Sequence, residues 1–300
     1  MYVVTGATGH TGNVVARRLL TKGEKVRVIG RNADRLKEFV AAGAEPFVAD
    51  LTDTGSVTKA IAGAKAVYVM MPPNLASPDF RAFQDRVTHA IAAALRSAGV
   101  THVVTLSSIG ADKPDKTGPV VGLHYLEQQL NDIEPLNVLH LRAGYFMENT
   151  LAQIGIIRAT GMAVGPLRPD LKLPMIPTRD IGEVAANALL KLDFRQKQTL
   201  ELLGQRDISM TEVAQIIGKA VGKPNLQYTQ ALDEQVRPAL VQLGMSPNMA
   251  NLLLEMSAAL NSGHMRALEQ RSARNTTPTP YETFVREEFV PLYEGKSAAA

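Results

Sequence analysis

The chain changes its hydrophobic rhythm near Arg142. Before that point, short apolar runs precede Gly6 and occupy residues 25–30, 45–49, 66–71, 102–106 and 137–141. Between them, apolar positions recur at helical spacing, in residues 13–20, 33–42, 55–62, 80–98 and 121–130. Gly43 and Gly99 end two of these helices, and Thr54 is the expected cap of a third. Unbroken apolar strands separated by amphipathic helices predict a parallel sheet covered on both faces. Right-handed crossovers then give an α/β, doubly wound sheet.

After Arg142 the pattern is mixed through residue 165. Residues 173–176 and 199–203 read as strands, and Asp180 caps a helix over residues 181–192. Three helices follow, at residues 210–218, 233–244 and 247–262. The division expected from this is a sheet domain at 1–145 with returning segments near 173–204. A smaller, mostly helical lobe takes 146–172 and 205–294, and a frayed tail takes 295–300.

The richest local signal is Gly6-Ala7-Thr8-Gly9-His10-Thr11-Gly12, between the first strand and the first helix. A glycine turn there aims backbone N–H groups and the positive end of a helix at a pyrophosphate. Gly6, Gly9 and Gly12 form the turn. Thr8, His10 and Thr11 are the side chains nearest the phosphates, and Thr11 can also cap the helix. A tight turn without a ligand is the bland alternative.

The end of the second strand selects among dinucleotides. NAD sites usually carry an acid there to hold the ribose diol. This chain has Gly30-Arg31-Asn32, with Arg35 one turn later. Two guanidinium groups suit a 2′-phosphate, so the expectation is NADP(H) over NAD(H). Asp50 and Leu51, at the end of strand three, are expected over the adenine. Met71 and Pro72, at the end of strand four, are expected beside the central ribose.

Composition narrows the remaining chemistry. Net charge is only +3 in 300 residues, which predicts no nucleic-acid or anionic-membrane partner. The chain has no Cys, which removes disulfides, thiolate metal sites and Cys nucleophiles and fits a cytoplasmic protein. Its six His residues show no zinc spacing, and no metal site is expected. No leader and no membrane-length apolar run is visible.

Four segments together resemble the NmrA-like group of atypical short-chain dehydrogenases/reductases. They are the glycine turn, Gly30-Arg31-Asn32, Met70-Met71-Pro72-Pro73-Asn74, and Leu141-Arg142-Ala143-Gly144-Tyr145-Phe146-Met147-Glu148-Asn149. Thr178-Arg179-Asp180-Ile181 and Thr211-Glu212-Val213-Ala214, with Gly222-Lys223-Pro224 beyond, extend the likeness over about residues 1 to 230. The resemblance implies a Rossmann-type domain that binds NADP(H) or NAD(H), with a lobe over the nicotinamide. It also implies two roles: reduction of quinones, dyes or phenolics, or dinucleotide sensing by a regulator without turnover. Tyr145 and Phe146, after strand six, are expected to close over the nicotinamide, with ordinary core contact to the lobe as the alternative, and Gly144 and Tyr145 are expected among the cofactor-binding residues.

Catalytic residues of the short-chain type are a Ser after strand five and a Tyr-x-x-x-Lys on the next helix. Ser107 and Ser108 stand at the right place, but Tyr125 is followed four residues later by Gln129. Without that Lys, no neighbour in the motif activates the phenol as a base. His124 is the candidate replacement, and Ser107 the candidate for bonding a substrate oxygen or the carboxamide. The expectation is an NADPH-dependent reductase of a small electron-poor acceptor; the alternative is a redox-sensing regulator. Sugar-nucleotide epimerase or dehydratase chemistry is a weaker third reading. A homodimer through helices 80–98 and 121–130, or a protein partner bound by the lobe, completes the expected partners.

Overall fold

The computed structural model describes residues 1–296; residues 297–300, in the expected tail, lie outside the described residues. Seven parallel strands form the central sheet in the order β10-β6-β5-β4-β1-β2-β3. They are β1 (Tyr2–Val4), β2 (Val26–Gly30), β3 (Glu45–Val48), β4 (Ala66–Val69), β5 (His102–Ser108), β6 (Asn137–Ala143) and β10 (Lys197–Leu202). The order reverses between β1 and β4, which opens a crevice at the carboxyl ends of those strands. This is a Rossmann-like doubly wound sheet.

Strand alternation sends side chains to two cores. Val3, Val67, Val69 and Val103 meet helices α3 (Thr54–Ile61), α4 (Phe80–Ala98) and α5 (Val121–Asn131) through Val57, Ile61, Val87, Ile91, Leu126 and Leu130. Tyr2, Val4, Val28 and Tyr68 meet α1 (His10–Thr21), α2 (Lys37–Ala41) and α7 (Thr178–Lys191) through Val15, Leu19, Phe39, Ile181 and Leu189. Both faces are therefore apolar, which is why these strands read as continuous runs rather than as alternations.

The rest of the chain gathers around a third core that includes Met147, Ile157, Leu173, Met175, Ile217, Tyr228, Leu260, Met265, Tyr281 and Phe289. Two small sheets frame it: β7 (Tyr145–Phe146), β9 (Lys172–Ile176) and β11 (Asp207–Ser209), and separately β8 (Ala163–Gly165) with β12 (Tyr228–Gln230). Its helices are α6 (Gln153–Thr160), α8 (Met210–Ala220), α9 (Asp233–Gln242), α10 (Pro247–Ser262), α11 (Tyr281–Phe284) and α12 (Val290–Tyr293). A π-helical stretch, Val285–Phe289, joins the last two. Among the described residues no helix is long and apolar enough to cross a membrane.

Of the segments near 173–204, expected to send one or two strands back to the main sheet, β10 returns, while β9 pairs with β7 and β11. Two helix caps are corrected. The cap of α3 is Asp53, whose carboxylate accepts from Gly55 N at 3.0 Å and Ser56 Oγ at 2.6 Å; Thr54 is the first helical residue. Asp180 is not the cap of α7, which starts two residues earlier. Its buried carboxylate accepts from Thr279 N and Oγ1, at 3.2 and 2.7 Å, and pins the C-terminal segment against α7.

Candidate functional site

The glycine turn is built by close approach. Gly6 takes a φ of +62°, a left-handed value that a side chain would strain. A Cβ on Gly12 would lie 2.3 Å from Gly6 O, so the helix start rests directly on the turn. Gly9 N donates to Gly6 O at 2.9 Å, and the next main-chain bond is from Asn13 N to Gly9 O at 3.0 Å. The amides of His10, Thr11 and Gly12 in the first turn of α1 are thus left for a ligand. His10 is exposed and Thr8 half-buried at this mouth.

Thr11 departs from its expected role. Its side chain is buried, and its Oγ1 accepts from the Tyr68 phenol at 2.9 Å. It neither caps α1, which has no side-chain cap, nor offers its hydroxyl at the mouth. Only its backbone N–H stays with the turn.

At the end of β2, Arg31 is exposed and Arg35 reaches back to donate to Thr8 O at 3.2 Å. That bond brings the second guanidinium against the glycine turn. Asp50 is exposed and folds onto its own loop, accepting from Thr52 N and Thr52 Oγ1, both at 2.9 Å. The Leu51 side chain is buried in the sheet core, so only its backbone remains for a ligand. Met71 and Pro72 are half-buried at the end of β4, and the adjacent Met70 fills the space over Gly6.

At the ends of β5 and β6, Ser107 is engaged within the protein. Its buried hydroxyl donates to Glu127 Oε1 at 2.5 Å. Glu127 also receives a fork from Arg142, Nε to Oε1 at 3.0 Å and Nη2 to Oε2 at 2.6 Å. The Ser is thus one corner of a buried triad clamping α5 to β5 and β6. Ser108 donates to Ile109 O at 2.9 Å. One turn before Glu127 on the same face of α5, His124 places Nδ1 2.8 Å from Ala111 O. A carbonyl only accepts, so Nδ1 carries the proton and Nε2 stays available. Tyr125 faces the other way: its hydroxyl bonds His89 Nε2 on α4 at 2.8 Å.

Beyond β6, Gly144 is a crossing point. A Cβ there would lie 2.3 Å from Pro174 O, and its N–H donates to Leu202 O at 2.9 Å. Its glycine serves the packing of β6 on β9 and β10. Burial pushes the Tyr145 phenol up to about 12, so it stays neutral. Glu148 follows. Its Oε1 accepts from Thr178 N at 2.8 Å and Thr178 Oγ1 at 2.6 Å, at the start of α7. Arg179 pairs with Glu287 at 2.7 Å. The neighbouring Glu288 has its carboxyl pushed up by burial and by the charge of Glu148, against the pull of Arg179 and His10.

Glu127, Arg142, Glu148, Thr178 and Glu288 received no role from the sequence. Glu127 carried one usable signal: it lies three residues after His124, on the same helical face. Glu148 and Glu288 are 140 residues apart, and no local pattern links them.

The NmrA-like family model matches residues 2–289. An NAD(P)H azoreductase of Xenophilus azovorans is 28% identical over 302 residues, covering 100% of both chains. Two solved structures share the fold. A triphenylmethane reductase of Citrobacter sp., complexed with NADP(H), has a TM-score of 0.79 at 21% identity, over 95% of this chain and 99% of its own. An NADPH-dependent quinone oxidoreductase of Escherichia coli, complexed with NADPH, has 0.76 at 21%, over 100% and 96%.

Proposed function

The chain belongs to the NmrA-like family, and from that premise we propose that it is an NADPH-dependent reductase that passes a hydride to a small, electron-poor acceptor of the quinone or dye type. The observation that carries the reading is the cradle of Gly6, Gly9 and Gly12. There Gly12 has no room for a side chain, and three helix-start amides are left for a pyrophosphate. The azoreductase relative, matched along its whole length, supports the acceptor class.

The residues present fit the dinucleotide. The amides of His10, Thr11 and Gly12 would hold the pyrophosphate. Arg31 and Arg35 would hold a 2′-phosphate, since both lie at the end of β2 and Arg35 already reaches Thr8 O. Asp50 and the Leu51 backbone lie on the adenine side of the turn, and Met71 and Pro72 on the other. When bound, NADPH supplies the hydride.

The protein's own part is positioning. The buried triad of Ser107, Glu127 and Arg142 holds α5 rigidly at the sheet ends, and His124 on the same helix is held by its Nδ1–H to Ala111 O, which leaves its neutral Nε2 a lone pair and no proton to give. Tyr125, turned to His89, is not offered to the crevice. An acceptor that takes hydride readily and draws its proton from solvent suits such a site better than an alcohol or ketone.

The same lack of a ready proton relay favours, as a second reading, a regulator that binds the dinucleotide without turnover. Stopped-flow oxidation of NADPH with a panel of quinones and azo dyes separates the two. Saturable turnover is expected; a flat trace across the panel leaves only the sensor. For the cofactor preference, Arg31→Ala and Arg35→Ala should each weaken NADP+ about 10- to 100-fold, the loss of a charge-assisted contact, and leave NAD+ unchanged.

A further inference from the structure

Resting on the reductase reading above, we propose that Glu148 Oε2 accepts a hydrogen bond from an N–H or O–H donor on the nicotinamide–ribose half of the dinucleotide. The two oxygens of this carboxylate are treated differently by the fold. Oε1 takes two donors from Thr178, while Oε2 is buried with no hydrogen-bond partner among the described residues. A carboxylate oxygen withdrawn from water calls for a donor. The nearby Arg179 spends its Nη1 on Glu287.

Topology says which half of the ligand reaches it. With the pyrophosphate on the start of α1, the 2′-phosphate side extends over β2 and β3, where Arg31 and Arg35 stand. The other half must extend across the reversal, over β4, β5 and β6. Glu148 lies on that side, just after β7, which continues from β6. Its anchor also ties it to the cradle. Thr178 opens α7, and α7 packs so tightly beside the start of α1 that a Cβ on Gly182 would lie 2.6 Å from Val14 Cβ and 3.0 Å from Thr11 O. His10 of the turn and Glu148 both act on the charge of Glu288, so all three share one neighbourhood.

The donor is either a ribose hydroxyl or the carboxamide N–H, and truncated ligands distinguish them. Glu148→Gln keeps an oxygen for Thr178 and places an NH2 where Oε2 was, so one acceptor becomes a donor. Calorimetric titration should show NADP+ binding weakened about 10- to 100-fold, while adenosine 2′,5′-bisphosphate binds as it does to the parent. With 2′-phospho-ADP-ribose, which retains the ribose but lacks the nicotinamide, a loss equal to that for NADP+ marks the ribose. No loss there marks the carboxamide. Equal weakening of NADP+ and adenosine 2′,5′-bisphosphate would make Glu148 merely a support of the fold and overturn the proposal, as would unchanged NADP+ affinity. Should Glu148→Gln fail to fold, Glu148→Asp, which draws the carboxylate back by one methylene, serves the same comparison. A parent protein that binds none of these ligands would instead refute the reductase reading itself.

Discussion

Glu127→Ala should destabilise this protein by about 4 kcal/mol. Glu127 is 3% exposed, and its carboxylate takes the Ser107 hydroxyl at 2.5 Å and two Arg142 nitrogens at 3.0 and 2.6 Å. The Arg142 side chain is itself only 14% exposed. Truncation therefore leaves a largely buried guanidinium without its counter-charge, which costs about 3–5 kcal/mol. An unfolding entropy of about 2.1 cal/mol/K per residue over 300 residues converts 4 kcal/mol into a fall in Tm of about 6 °C. The chain has no Trp, so urea unfolding at pH 7 is followed by far-ultraviolet circular dichroism. The decisive control is Ser107→Ala/Glu127→Leu/Arg142→Met, which replaces the whole triad by apolar groups and should recover stability to within about 1 kcal/mol. A loss below about 1 kcal/mol in the single variant, or a triple variant no better than the single one, would refute the reasoning.

Other outcomes follow from single contacts. Burial pushes the imidazole of His140 down to about 4; Thr105 Oγ1 donates to its Nδ1 at 2.8 Å, and its Nε2–H donates to Asn131 Oδ1 at 3.0 Å. The unfolded chain binds a proton more readily, at about pH 6.5, so the stability from neutral His140 is complete above that pH and is lost as pH falls toward 4. The loss is about 3 kcal/mol, and His140→Gln should flatten the slope of unfolding free energy against pH across that window. Gly12→Ala puts a Cβ against Gly6 O and should lower stability by about 1–3 kcal/mol while abolishing calorimetric NADP+ binding; a variant that binds normally would mean the turn is not the cradle. Tyr125→Phe, which removes only the hydroxyl bonded to His89, should leave the pH profile of NADPH oxidation unchanged; a shifted profile would return Tyr125 to the chemistry.

What the sequence determined alone is what repeats or what geometry permits only one residue to do. Apolar runs between amphipathic stretches set the doubly wound sheet, because strands buried on both faces must be apolar throughout. Gly6, Gly9 and Gly12 set the turn, because only glycine lets α1 rest 2.3 Å, at the Cβ position, from Gly6 O. Helix α4 was legible to its ends, since Gly99 takes the left-handed conformation that stops it. The side-chain roles were decided elsewhere. Ser107 stands where a catalytic Ser is expected, yet α5 brings Glu127 to within 2.5 Å and takes its hydroxyl into the core. Thr11 stands between turn glycines, yet Tyr68 draws it inward. Asp180 stands where a cap would, yet Thr279 claims it from 99 residues away. A short polar side chain offers several bonds, and its neighbours in space, not its neighbours in sequence, decide which one forms. The lone oxygen of Glu148 is the extreme case, since only the fold shows that one side of that carboxylate is satisfied and the other is not.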